Sequence, residues 1–194
     1  DQLLFIDPPA LLEEQFIDTV VLIKGSRKAD MQRYARSFRL KNHTTYVEIN
    51  LSAVRHNLAV LKSGLLPSTK ILAMVKAQSY GSGLEKMGAY LENQGIDYLG
   101  VAYADEGVEL RKHGIQLPIL VMNTEEDGFE DCILNNLEPA IFTLKQLDSF
   151  IKELILHGKT HYPIHLKLDT GMKRLGFEMT DVPKVCDMLQ AQPE

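Results

Sequence analysis

The chain has 194 residues, 45% hydrophobic and 24% charged, with a formal net charge of −5. This is globular composition with enough chain for a packed core, which excludes disordered and fibrous classes. The acidic balance leaves no basic field to gather nucleic acid or anionic lipid, so a small-molecule partner is favoured.

The first 40 residues carry a short apolar run, Asp18-Thr19-Val20-Val21-Leu22-Ile23, which leads into the basic turn Lys24-Gly25-Ser26-Arg27. A polar helical stretch follows over 31–40. A domain boundary is expected near 40–43, dividing the chain into 1–40 and 41–194. From residue 44 onward, short β-rich runs alternate with helical periods, the rhythm of βα units around a parallel sheet. Strands are expected over 46–51, 70–77, 98–102, 118–122, 137–142 and 163–169. Helices are expected over 51–61, 83–93, 104–113, 128–135, 143–157 and 180–190.

Ser52, Asp127, Thr143 and Thr180 are the expected N-caps, with Gly95, Gly114 and Gly158 at C-termini. Most strand runs are continuous, as in strands covered on both faces. The class is α/β, either a (β/α)8 barrel or a doubly wound sheet. No apolar run is long enough to span a membrane, and the acidic N-terminus is unlike a signal peptide. Cys132 and Cys186 stand apart, outside any CxxC or Cys/His cluster. No disulfide framework or metal site is expected, and a reducing cytoplasm fits.

The segment Ile71-Leu72-Ala73-Met74-Val75-Lys76-Ala77-Gln78-Ser79-Tyr80-Gly81-Ser82-Gly83 places a lysine at the C-terminal end of a buried strand. Desolvating an ammonium there is costly unless it is paired or neutralised, and that sheet edge is where α/β folds bind ligands. Condensation with an aldehyde is one way a lysine loses its charge. The bland alternative is a lysine that snorkels from a strand end beside a packed Tyr80.

The segment His165-Leu166-Lys167-Leu168-Asp169-Thr170-Gly171-Met172-Lys173-Arg174-Leu175-Gly176-Phe177 puts Lys167 and Asp169 two apart, on one side of a strand. Arg174 follows as a planar fork suited to an oxygen anion. The alternative is a surface salt bridge among Lys167, Asp169, Lys173 and Arg174. His113, His157, His161 and His165 read as solvated or capping side chains, and Glu125-Glu126-Asp127 as a solvated turn.

Two of these blocks, Met74-Val75-Lys76-Ala77-x-x-Tyr80-Gly81-x-Gly83 and Lys167-Leu168-Asp169-Thr170-Gly171-Met172-x-Arg174-Leu175-Gly176, resemble the N-terminal signatures of alanine racemases. Glu106-Gly107-x-x-Leu110-Arg111 and Tyr46-Val47-Glu48-Ile49-Asn50-Leu51 resemble the text of the same family, and the resemblance covers 43–194. It implies a pyridoxal-phosphate (PLP) enzyme interconverting L- and D-alanine for peptidoglycan precursors. The expected architecture is part of a (β/α)8 barrel, followed in the family by a β domain, in a homodimer.

By resemblance, Lys76 binds the cofactor as a Schiff base and is one of two catalytic bases. Tyr80 hydrogen-bonds the cofactor phosphate, and Arg174 contacts the region of its phenolic oxygen. Lys167 matches a lysine that is often carbamylated and so able to hold Arg174. No segment matches the family's second base, a tyrosine of the β domain, and about five of eight barrel strands are expected. Gln78, Ser79 and Ser82 depart from the family's usual Asn, Ala and His.

The segment 18–27 resembles the end of the Mur ligase that adds D-alanyl-D-alanine to UDP-muramoyl tripeptide. A piece of a ligase–racemase fusion is therefore expected, consistent with a start at Asp1. The alternatives are another racemase or decarboxylase of the same PLP fold type, or a catalytically incomplete PLP-binding fragment.

Overall fold

The computed structural model describes residues 47–192; the elements expected before residue 40 and the boundary at 40–43 lie outside the described residues. Five strands form one sheet: β1 (Leu72–Met74), β2 (Tyr98–Val101), β3 (Ile119–Val121), β4 (Glu138–Ile141) and β5 (His165–Leu166). All ladders are parallel and the order is β1-β2-β3-β4-β5. Parallel neighbours need crossovers, supplied by α2 (Leu84–Asn93), α3 (Ala104–Lys112), α4 (Phe129–Leu134) and α5 (Leu144–Leu156). Helix α1 (Leu51–Ser63) precedes the sheet and α6 (Val182–Gln190) follows it. A doubly wound sheet reverses direction at a switch point; this one does not, which makes it a partial (β/α)8 barrel.

The expected strand at 46–51 is not seen: residues 47–50 are irregular and exposed, and Leu51 opens α1. No described strand lies beside 47–50 to satisfy its backbone, and Val47 is 67% exposed. The cap of α1 also differs from expectation. Asn50, not Ser52, accepts from Ala53 N at 3.1 Å, because the helix already includes Leu51, whose carbonyl is tethered by Tyr90 Oη at 2.6 Å. Thr143 caps α5 as expected, accepting from Gln146 N at 3.1 Å.

Asp127 lies within a 3-10 turn (Glu126–Gly128), leaving Gly128 to precede α4. Asp181 replaces Thr180 ahead of α6, whose first turn accommodates Pro183. Gly95, Gly114 and Gly158 all stand just past helix ends with positive φ, as the sequence implied.

Leu99, Val101, Ile119 and Val121 form the helix-facing side of the sheet and are fully buried with Leu84, Leu110 and Ile115. Burying each such side chain contributes about 1.5–3 kcal/mol. A second cluster joins Phe129, Ile133, Ile141, Leu147, Phe150, Phe177 and Val185, with Phe129 and Phe150 packed edge to face at 5.0 Å. The opposite face is less covered: Leu72 and Met74 of β1 are 38% and 39% exposed. Coverage on both faces therefore holds for the central strands and fails at the edge strands β1 and β5, where Leu166 is also exposed.

Candidate active site at the C-terminal sheet edge

Residues 76 and 80 sit on one unusual turn. Immediately after β1, Ala77, Gln78, Ser79 and Tyr80 all have φ between +50° and +54°, a left-handed helical turn built without glycine. Each such residue costs about 1–2 kcal/mol, so the turn persists only because its surroundings determine it. Ser79 N and Ser79 Oγ donate to Val75 O at 3.0 and 3.1 Å. Tyr80 N donates to Ala77 O and Gly83 N to Gln78 O, both at 3.0 Å. Ala77 N donates to Glu106 Oε1 at 2.7 Å. Val75 below is fully buried while Lys76 is half-buried and Tyr80 is exposed. The strand thus delivers Lys76 at the rim of the core.

At the far end of the sheet, the β5 ladder continues one step past the strand through Lys167 N to Ile141 O. The chain then loops back: Phe177 N donates to Lys167 O at 2.8 Å and Asp169 N to Phe177 O at 2.9 Å. Asp169 Oδ1 accepts from Gly171 N and Lys173 N at 2.9 and 3.0 Å, and these backbone donors hold its carboxyl below the usual range. Asp169 therefore turns into its own loop and is not displayed beside Lys167. Arg174 is exposed on that loop.

Among the described residues, the side chains of Lys76, Tyr80, Lys167 and Arg174 make no hydrogen bond or ion pair. The alternative salt bridge at 167–174 does not form. All four residues follow the C-terminal ends of parallel strands, two at each extreme of the sheet. The loop after β1 carries a primary amine and a phenol and the loop after β5 a second amine and a guanidinium, on the same edge but at opposite ends of the sheet, with no contact between the two pairs among the described residues. An uncommitted primary amine suits an aldehyde cofactor, and the phenol and guanidinium suit its anionic oxygens. The donor set fits pyridoxal phosphate.

Residues 49–194 match the model of the family "Alanine racemase, N-terminal domain". The chain belongs to the alanine racemase family.

An alanine racemase of Sorangium cellulosum is 40% identical over 156 residues, covering 77% of this chain and 41% of that protein. The structure of the Clostridium difficile 630 alanine racemase in complex with cycloserine aligns with TM-score 0.71 and 35% identity, over 76% of this chain and 41% of that one. That of the alanine racemase from D-cycloserine-producing Streptomyces lavendulae aligns with TM-score 0.71 and 29% identity, over 78% and 40%. The chain spans about two fifths of the length of these alanine racemases.

Two groups of polar residues escaped the sequence reading. Glu106 serves both the turn after Lys76 and the end of β2, where Oε2 accepts from Ala102 N at 2.8 Å. At the opposite, N-terminal edge, buried Glu138 meets His165 Nε2 at 2.6 Å and Tyr98 Oη at 3.5 Å; burial, reinforced by Glu138, raises the Tyr98 phenol. His165, expected to be solvated or capping, is paired with Glu138 instead. His113 and His157 do cap, each through Nδ1 to the carbonyl four residues back. An apolar groove of about 510 Å³ between α5 and α6, lined by Phe150, Leu154 and Leu189, lies apart from these groups.

Proposed function

We propose that Lys76 holds pyridoxal phosphate covalently and that this chain is the cofactor-anchoring part of an enzyme interconverting L- and D-alanine. The observation that carries this is the half-buried amine of Lys76 at the C-terminal end of β1, without a partner among the described residues, on an alanine racemase N-terminal domain. When bound, the cofactor supplies an electron sink for the charge left as the substrate's α-proton departs.

Lys76 Nζ is the base on the face of the D-enantiomer. Tyr80 and Arg174 would help to hold the cofactor, the phenol as a donor to its phosphate and the guanidinium as a donor to its phenolic oxygen. Lys167 carries a carbamate that faces Arg174 as an anion. Racemisation needs a base on each face; the second is a tyrosine of a C-terminal domain, brought by the partner of a homodimer. In this reading the protein works in the cytoplasm on peptidoglycan precursors, and residues 1–40 are the tail of a fused Mur ligase. The resemblance of residues 18–27 supports the fusion. Among the described residues no helix is long and apolar enough to cross a membrane.

The test is to incubate the chain with pyridoxal phosphate, reduce with borohydride and map the pyridoxyl group by mass spectrometry. Label on Lys76 that is lost in Lys76→Ala is expected; label on other lysines alone overturns the assignment. Exchange of the alanine α-proton in heavy water is expected to be weak in this chain, which lacks the second base in this reading. Robust racemisation would refute that division of labour.

A further inference from the structure

The carboxylate of Glu106 is the single side chain that joins the backbone leaving Lys76 to a neighbouring strand, among the described residues. Glu106 lies in the first turn of α3 and is half-buried. Its Oε1 accepts from Ala77 N at 2.7 Å, while Oε2 accepts from Ala102 N at 2.8 Å and Tyr103 N at 3.4 Å. Three backbone donors from the ends of two adjacent strands thus converge on one side chain. A carboxylate suits this place because both of its oxygens accept and neither donates, and the N-terminal end of α3 favours its charge. The helix that carries it is itself fixed: a β-carbon on the next residue, Gly107, would lie 2.7 Å from Leu137 Cδ1, so α3 sits hard against that side chain.

We propose that Glu106 is a positioning residue for Lys76. Ala77 is the first of the four left-handed residues, so tying its N–H fixes where the disfavoured turn begins and from which direction the Lys76 stem leaves the backbone. The direction is set by α3 and β2, two rigid elements, and not by the turn. The role rests on the reading of Lys76 as cofactor anchor. A glutamine here keeps the shape but replaces one acceptor by a donor that faces an N–H, so one arm is lost. An aspartate keeps the charge but is one methylene too short to reach both strand ends.

The experiment uses E106Q and E106D in the full chain, with two readouts. Without cofactor, amide exchange at Ala77 is followed by NMR alongside the melting temperature. With pyridoxal phosphate and borohydride, the label on Lys76 is measured as a ratio to that on exposed Lys184 of α6, which general loosening of the fold would not lower selectively. Loss of a charge-assisted hydrogen bond predicts Ala77 exchange about tenfold faster and a Lys76:Lys184 ratio about tenfold lower. E106D is expected to follow E106Q, since position and not charge is at issue, and it decides the matter if E106Q does not fold.

A folded variant with an unchanged ratio overturns the role, whether or not Ala77 exchange moves. A lowered ratio with unchanged Ala77 exchange overturns it too, since the tie would not be the cause. No label on Lys76 in the unsubstituted chain would instead overturn the cofactor reading and this role with it.

Discussion

Gly176 and Asp169 meet backbone to backbone where the loop after β5 closes: a β-carbon on residue 176 would overlap Asp169 N and lie 2.6 Å from the Leu168 carbonyl carbon. The φ of Gly176 is +144°, so a side chain there is strained as well as crowded. Gly176→Ala is expected to destabilise the chain by about 2–4 kcal/mol, read as a lower urea midpoint. Faster proteolysis within 169–176 should accompany it. An unchanged midpoint would mean that the loop closes in another way.

The loop should also respond to acid. Backbone donors from Gly171 and Lys173 lower the Asp169 carboxyl in the folded chain. A depressed folded value means that its contribution is present above the unfolded carboxyl's range and is lost as pH falls through the folded value. Protection of the Gly171 and Lys173 amides, measured relative to their intrinsic exchange rates, is expected to fall below about pH 4, and Asp169→Ala should lack that protection at neutral pH already.

The two thiols should behave differently. Cys132 is buried, and burial pushes its thiol up to about 12, while Cys186 is exposed. Iodoacetamide at pH 8 is expected to modify Cys186 and spare Cys132 in the folded chain. A raised folded value contributes stability that is complete below the ordinary thiol range and is lost as pH rises toward the folded value. Stability relative to Cys132→Ala should therefore decline on going from pH 8 to pH 11.

Tyr162 links the second core cluster to the segment before β4. Its hydroxyl lies 2.7 Å from both Cys132 O and Leu137 O, and its ring stacks edge-on with Phe150 at 5.7 Å. Tyr162→Phe keeps the ring and removes the donor, so a loss of about 1–2 kcal/mol is expected in chemical denaturation. A smaller loss would show that water replaces the bond.

The existence and order of the strands, the crossover helices and the place of Lys76 were readable because each depends on local pattern: an apolar run, a helical period, a charge near the end of a strand. The strand ends were not, since the run expected over 70–77 pairs only over Leu72–Met74 and that over 163–169 only over His165–Leu166. The left-handed turn over 77–80 was not, because left-handed backbone is signalled by glycine and none occurs there. Glu106 and Glu138 were missed for a different reason. Their partners lie 29 and 27 positions away, Ala77 and His165, and only parallel register brings them together. The strand expected at 46–51 failed because its alternating apolar residues mark one amphipathic edge without naming a partner strand. The cap of α1 was misplaced by two residues, since Asn50 and Ser52 are equally good cappers and a tertiary contact from Tyr90 accompanies the choice.

The order β1-β2-β3-β4-β5 repeats the order of synthesis. Every strand after β1 finds its template already made, so a nascent chain can settle unit by unit behind the ribosome.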